Sequence, residues 1–299
     1  MYLPALALGL ALSASPTPAQ DCLALYNGVG IATDLPAARR CLEVALAAPC
    51  DGRPADLARA QLAVMFFDGQ GGPADPARAL ALFRGCAEDR TPYDLQRKFI
   101  AWKPTGAFNL CREILGSPSL VRECVGVEAS LAAQAHIAAA QRLRAALSEA
   151  ARAPLDAAEA AWARFLRAEA DRVVDRVRTP DDALVRVTTL GTGERERAAW
   201  IETLPTIGEG VCSPRERASA DARLERMLRE AREGIDPKAL AALQEAQDEW
   251  ATYRAAEVRW MAASKGAGVG SSAACMVVRM RAKMLEVHEP EDGPDSGDP

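Results

Sequence analysis

Histidine is scarce in this chain, since the 299 residues include only His136 and His288. This scarcity disfavours catalysis by a histidine base and histidine-rich metal sites. No phosphate-binding Gly-Lys-Ser/Thr loop and no Gly-x-Ser-x-Gly nucleophile motif with a usable histidine occur. The 36 basic residues do not outnumber the 41 acidic ones, so there is no excess of positive charge to bind nucleic acid. We therefore predict that the protein is not an enzyme, has no cofactor or metal, and does not bind nucleic acid.

Strand-forming sequence is also rare, and aromatic residues make up only 5% of the chain. Alanine, leucine, arginine and glutamate dominate, and these residues favour helices. Val185–Thr189 is the best strand candidate and is short. The sequence therefore predicts an all-α fold, in which helical-hairpin repeats precede a duplicated, disulfide-linked helical module. The glycine-rich stretch 266–270 is predicted to be a loop, and the acidic tail 289–299 is predicted to be disordered.

Long hydrophobic runs are absent after the first residues of the chain. Leu3–Ala14 is an apolar run of 12 residues, followed by a small-x-small site at Thr17–Ala19. We predict that residues 1–19 are a signal peptide, the alternative being a buried N-terminal helix. Asp21 stands before Cys22, where a lipid-anchor site would need a small residue. The expected product is a soluble protein of the periplasm or the extracellular space, without a membrane span.

Eight cysteines follow the predicted signal peptide, and none forms a C-x-x-C pair. An even number of cysteines in an exported protein indicates disulfides, with buried free thiols as the alternative. Their spacing does not fix the connectivity. Cys22 and Cys41 flank a predicted hairpin loop at similar distances and are predicted to pair, and Cys50 with Cys86 is a second candidate. The disulfide candidates are Cys22, Cys41, Cys50, Cys86, Cys111, Cys124, Cys212 and Cys275.

Residues 21–89 contain a repeat with an offset of 41 residues. Gly28, Asp34 and Ala38 in the first copy correspond to Gly69, Asp75 and Ala79 in the second. Each copy is typical of a helix, a glycine-bearing loop and a second helix that the aspartate caps. The pattern resembles the Sel-1-like repeat, a short relative of the tetratricopeptide repeat, and this resemblance implies a surface that binds other proteins.

A second repeat has an offset of 88 residues. It relates Leu155, Ala158, Glu159, Trp162, Phe165, Ala168 and Glu169 to Leu243, Ala246, Gln247, Trp250, Tyr253, Ala256 and Glu257. Arg197 corresponds to Arg281 with an offset of 84. The sequence therefore predicts two copies of one module, which we call the first module (residues 110–204) and the second module (residues 205–288). The apolar residues recur with helical spacing, so both tryptophans are expected in the core, with a partly exposed binding surface as the alternative.

The second module resembles the LprI-like lysozyme inhibitor domain. The residues that carry the resemblance are Leu243, Ala246, Gln247, Trp250, Tyr253, Arg254 and Glu257, followed by the glycine stretch and Cys275. The resemblance implies a small helical, disulfide-linked, exported domain that binds lysozyme. The first module is a degenerate copy, with Leu166 in the place of the arginine and Ala170 in that of a cysteine.

Two positions of the second module depart from the family pattern. Ala255 stands where the family usually has an aspartate, and Val258 where it has a cysteine. The family's disulfide from the central helix to the later cysteine therefore cannot form. Cys212 is the nearby candidate partner for Cys275, and Cys111 with Cys124 is the other predicted pair.

The predicted function follows from these features. We expect an exported protein that binds another protein, a lysozyme-type muramidase, and blocks it by occluding its cleft. Glu249 and Glu257, or the acidic tail, would face the basic surface of lysozyme. His136 is expected to be a surface or packed residue rather than a base or ligand. The alternative is an envelope adaptor or immunity-type scaffold that uses the helical repeats and has no inhibitor activity.

Overall fold

The computed structural model describes residues 18–46, 55–84, 118–204, 212–265, 274–275, 277–282 and 284–285. These residues form α-helices and connecting turns, without a strand, which confirms the all-α prediction. The helices are α1 Pro18–Asn27, α2 Leu35–Ala45, α3 Ala55–Asp68, α4 Pro76–Arg84, α5 Pro118–Ala146, α6 Glu149–Val177, α7 Asp182–Thr203, α8 Pro214–Glu230 and α9 Pro237–Lys265. The described positions between 274 and 285 are also helical, and we call them the C-terminal helical segment.

The chain divides into two compact units, with the boundary between Gln134 and Ala135 inside α5. Several predicted features lie outside the described residues. They are the signal-peptide run up to residue 17, the glycine stretch 266–270, the acidic tail 289–299, Cys50, Cys86, Cys111 and His288. Within the described part of the chain, no helix is both long enough and apolar enough to span a membrane.

The first unit contains two helical hairpins, α1–α2 and α3–α4. In the loops, Gly28 and Gly69 adopt positive φ angles of 75° and 69°, which suit glycine. Asp34 caps α2 by accepting a hydrogen bond from the backbone N–H of Ala37 at 2.9 Å, and Asp75 caps α4 in the same way. Cys22 and Cys41 form a disulfide between α1 and α2, which is the pairing expected from the sequence.

Arg39 connects the two hairpins of the first unit. Its guanidinium donates a hydrogen bond to the backbone carbonyl of Pro73 at 2.9 Å, in the loop between α3 and α4. The same group lies over the ring of Phe66, 4.1 Å from the ring centroid. A buried arginine that satisfies loop carbonyls and stacks on an aromatic ring fixes the position of α2 against the second hairpin.

Val185–Thr189, the best strand candidate in the sequence, is helical and lies in α7, in agreement with the all-α prediction. The hydroxyl groups of Thr188 and Thr189 donate to the carbonyls of Leu184 and Val185, four residues earlier, at 2.8 and 2.9 Å. Such bonds satisfy the threonine side chains inside a helix. Asp181 caps this helix through the backbone N–H of Leu184. Tertiary packing and capping therefore override the local β-propensity.

Candidate functional site

The core of the second unit forms where α6 packs against α9. Trp162 and Phe165 of α6 meet Tyr253 of α9, with ring centroids 5.1 and 6.1 Å apart. Five of the seven family-signature residues are buried here: Leu243, Ala246, Trp250, Tyr253 and Glu257. Gln247 and Arg254 are partly exposed. The expectation that Trp162 and Trp250 belong to the core is confirmed, and the signature mainly specifies the interior.

A fully buried arginine crosses this core from α7. Arg197 donates hydrogen bonds from Nη1 to the Tyr253 hydroxyl and to Glu257 Oε1, both at 2.9 Å. Its Nε donates to Glu159 Oε1 at 3.1 Å. Trp200, one turn later in α7, donates from Nε1 to the same Glu257 oxygen at 2.6 Å. Because Arg197 and Glu257 are fully buried, removing one of them would leave the other without its partner in the interior.

His136 of α5 continues this network. Its Nε2 lies 2.7 Å from Glu159 Oε2, and its Nδ1 bonds with Glu194 of α7. Burial alone would lower the pKa of His136, but the two carboxylates outweigh burial and raise the pKa to about 9. Burial alone would raise the pKa of Glu159, whereas the charges of Arg197 and His136 lower it to about 2. The histidine is therefore a buried imidazolium held between two carboxylates.

A second buried ionic cluster surrounds Glu169 of α6. Arg172 donates from Nε and Nη2 to the two carboxylate oxygens of Glu169, both at 2.8 Å. Arg281 of the C-terminal helical segment places Nη1 2.7 Å from Glu169 Oε2 and its guanidinium 5.0 Å from the centroid of the Phe165 ring. Burial would raise the pKa of Glu169, but Arg281 and Arg172 lower it to about 2.

Arg281 and Arg197 have different surroundings, although they are equivalent in the predicted repeat. Burial lowers the pKa of Arg281 and the single carboxylate of Glu169 does not restore it. Burial also acts against the charge of Arg197, but Glu159 and Glu257 together raise its pKa. The repeat places Gln247 where the first module has Glu159. The second module therefore lacks the carboxylate that gives Arg197 its second ion pair.

Glu257 does not face a partner protein, so that part of the sequence interpretation was wrong. The side chain is fully buried, and it accepts hydrogen bonds from Arg197 and Trp200 in the core. Glu249 is 31% exposed and forms an ion pair with Arg164 of α6 at 3.1 Å. The buried clusters hold their charged groups away from solvent and join neighbouring helices to one another. Among the described side chains, no group of three or more His, Cys, Asp or Glu residues is arranged to bind a metal ion.

The exposed side of α9 is a candidate surface for contact with a partner, since it lies on the helix that carries the family signature. We call it the outer face of α9; its exposed residues include Gln244, Glu245, Asp248, Thr252, Ala255 and Arg259. Gln244 Nε2 donates to Asp248 Oδ1 at 2.8 Å, one helical turn away. Ala255 takes the place of the aspartate usual in the family. This departure therefore falls on the outer face and not in the core.

A disulfide closes the second module. Cys212, just before α8, is bonded to Cys275 of the C-terminal helical segment, with Cα atoms 6.3 Å apart. This is the partner that the sequence suggested for Cys275. Cys124 is also disulfide-bonded, whereas its predicted partner Cys111 lies outside the described residues.

Several residues of the buried clusters were not identified as interacting groups from the sequence: His136, Glu159, Glu169, Arg172, Glu194, Arg197, Trp200 and Arg281. The repeat contained a signal for some of them, because it aligned Glu169 with Glu257 and Arg197 with Arg281. It gave no indication that these glutamates and arginines pair with one another. His136 and Glu194 had no comparable signal.

Comparison with known proteins gives one match. The family model described as Lysozyme inhibitor LprI matches residues 203–287, which contain α8, α9 and the C-terminal helical segment. No curated protein and no solved structure matches the chain. The match confirms the LprI-like resemblance in the second module. The Sel-1-like repeats and the duplication stay predictions, and the similarity to the LprI lysozyme inhibitor family covers residues 203–287 of the chain.

Proposed function

We propose that this protein is an exported, lysozyme-inhibitor-like protein that acts by occluding the cleft of a cell-wall muramidase. The observation that carries the proposal is the match of residues 203–287 to the LprI family model. The disulfides Cys22–Cys41 and Cys212–Cys275 support an oxidising compartment such as the periplasm. An inhibitor needs a stable surface rather than reactive groups, and this requirement agrees with a prediction of no enzyme activity.

We assign the inhibitory contact to the outer face of α9. The buried signature residues cannot reach a partner while the domain is folded, so contacts must come from exposed side chains. Glu245 and Asp248 lie one turn apart and are exposed. Carboxylates on this face would attract a basic lysozyme and raise the rate of association. Ala255 removes a further carboxylate from the same face and would weaken that attraction.

The first experiment measures how fast lysozyme clears a suspension of bacterial cell walls. Micromolar purified protein should slow clearing, and charge reversal by Glu245→Lys with Asp248→Lys should raise the protein concentration needed. Ala255→Asp should lower that concentration. The matched control is Glu225→Lys with Glu230→Lys, two exposed acids of α8, which should leave inhibition unchanged. An unchanged rate of clearing with the folded wild-type protein would refute the inhibitor function.

The alternative is an adaptor or immunity-type scaffold that binds an envelope protein through α1–α4. Two observations favour it: a disulfide closes the first hairpin, and Ile31 and Val44 are large apolar residues exposed on that hairpin. In a periplasmic pull-down, a partner that is lost on deletion of residues 21–89 and retained by the charge-reversed α9 variant would support the adaptor. A partner lost only with the α9 variant would support the inhibitor.

A further inference from the structure

Two buried ion pairs join the first and second modules in opposite directions. Glu257 of the second module accepts a hydrogen bond from Arg197 of the first at 2.9 Å. Glu169 of the first module lies 2.7 Å from Arg281 of the second. The two glutamates are 88 residues apart and the two arginines are 84 apart, the offsets of the sequence repeat. The arginine of each module therefore pairs with the glutamate of the other module.

The aromatic residues at this contact are also equivalent in the two modules. Phe165 and Tyr253 occupy equivalent positions, and their rings stack with centroids 6.1 Å apart and planes 6° apart. In a contact between two copies related by a two-fold axis, a residue on the axis meets its own counterpart. Arg197 lies 5.4 Å from the centroid of Tyr253, and Arg281 lies 5.0 Å from that of Phe165. Both halves of the contact are thus built from equivalent groups.

The helices that carry these residues also correspond. α6 spans Glu149–Val177 and α9 spans Pro237–Lys265, so both have 29 residues and both ends are shifted by 88 positions. A contact in which the same surface patch occurs on both sides is isologous, as in a symmetric dimer. Here one chain supplies both patches.

We propose that the α6–α9 contact is an isologous pairing surface, and that the partner which the second module fits is another module of its own kind. The first module occupies that position within the chain. If the first module were absent, Arg281 of one second module would therefore bind Glu257 of another. The proposal concerns module pairing and stands apart from the proposed inhibitor function.

The experiment uses the full chain with a protease site inserted between Leu204 and Cys212 and cut after folding. The disulfides Cys22–Cys41 and Cys212–Cys275 each close on one side of this cut. The N-terminal and C-terminal pieces should stay together as a 1:1 complex in native mass spectrometry. Separation of the wild-type pieces at micromolar concentration without denaturant would overturn the proposal.

Substitution of either arginine should then distinguish the two modules. Arg197→Met and Arg281→Met should each raise the dissociation constant of the cut complex at least about 30-fold, because each removes a buried charge pair across the contact. With Arg197→Met, the C-terminal piece keeps both Arg281 and Glu257, so pairs of two C-terminal pieces should appear. With Arg281→Met, such pairs should not appear. Arg254→Met is the matched control and should change the constant less than about 3-fold, since Arg254 binds Asp221 within its own module.

Two results would overturn the proposal: no pairing of C-terminal pieces in the cut Arg197→Met protein, or a complex as tight as wild type. If the Arg197→Met chain fails to fold, Trp200→Phe serves as a milder variant. It removes the 2.6 Å hydrogen bond from Trp200 to Glu257 together with part of a buried ring, and leaves the C-terminal piece unaltered. Pairs of C-terminal pieces should appear with this variant too, and their absence while the cut complex loosens would contradict the proposal.

Discussion

His136 should make the stability of the second unit depend on pH in a range where few other groups titrate. Its pKa is raised from 6.5 to about 9 in the folded state by Glu159 and Glu194, against the opposing effect of burial. A pKa raised on folding stabilises the protein fully below the unfolded value, and that stabilisation is lost as pH rises through the folded value. The loss should therefore fall between about pH 6.5 and pH 9.

The size of the effect follows from the same values. A difference of one unit between the pKa values in the folded and unfolded states corresponds to about 1.4 kcal/mol of unfolding free energy. The rise from 6.5 to about 9 therefore corresponds to about 3 kcal/mol of unfolding free energy at pH 6. His136→Gln should remove about this amount at pH 6, and its unfolding free energy should change little from pH 6.5 to pH 9.5.

The assay is urea unfolding followed by tryptophan fluorescence at pH values from 5.5 to 9.5. Four of the five tryptophans, Trp162, Trp200, Trp250 and Trp260, are buried in the second unit, so the signal reports that unit. His288→Gln changes the only other histidine and is the control, which should retain the wild-type slope. A wild-type unfolding free energy that stays level between pH 6.5 and pH 9.5, or an equal slope in His136→Gln, would show that His136 does not cause the pH dependence.

Three further changes test the packing of the fold, each by urea unfolding. Gly193→Ala should destabilise the fold by about 2 kcal/mol or more, because the added methyl group overlaps a buried leucine of α6. Gly126→Ala has open space at its Cβ and should stabilise the fold by about 0.5–1 kcal/mol. Equal effects of the two substitutions would contradict the packing of α7 on α6. Replacing Cys212 and Cys275 by serine should cost about 4 kcal/mol, given the 63 residues that the disulfide closes, and an unchanged midpoint would argue against the bond. Glu169→Gln should cost about 3 kcal/mol at pH 7 and reduce by about the same amount the stability that wild type loses as pH falls from 4.5 towards 2, while the loss due to Glu159 remains; an acid-dependent loss as large as in wild type would assign it to other groups.

The helices of this protein were predictable because their signals are local. Asp34 and Asp75 precede their helices at capping positions, and the apolar spacing around Trp162 and Trp250 indicates one buried face for each long helix. The Cys22–Cys41 disulfide follows from the symmetry of a hairpin. Val185–Thr189 contains several β-branched residues and is still helical, because such residues prefer strands only where the surrounding structure permits it.

The charged interior was harder to predict because charge alone does not reveal burial. Glu249 and Glu257 are both acidic and lie on the same helix, yet one is partly exposed and the other is fully buried. The difference depends on Arg197, which is 60 residues away from Glu257 in sequence. Such long-range partners appear only when the helices are assembled. The repeat offsets did indicate which residues are equivalent, but not that they exchange partners.

We infer that the LprI signature builds the interior, whereas the outer face of α9 makes the inhibitory contact. Lysozyme inhibition should be measured for two variants: Tyr253→Phe, and the charge-reversed protein that combines Glu245→Lys with Asp248→Lys. Each is measured at a temperature where it is folded. Tyr253→Phe removes only the hydroxyl that binds Arg197 and leaves the equivalent of Phe165 in its place. We expect Tyr253→Phe to inhibit like wild type and the charge-reversed protein not to inhibit. Loss of inhibition in folded Tyr253→Phe, with full inhibition by the charge-reversed protein, would contradict this inference.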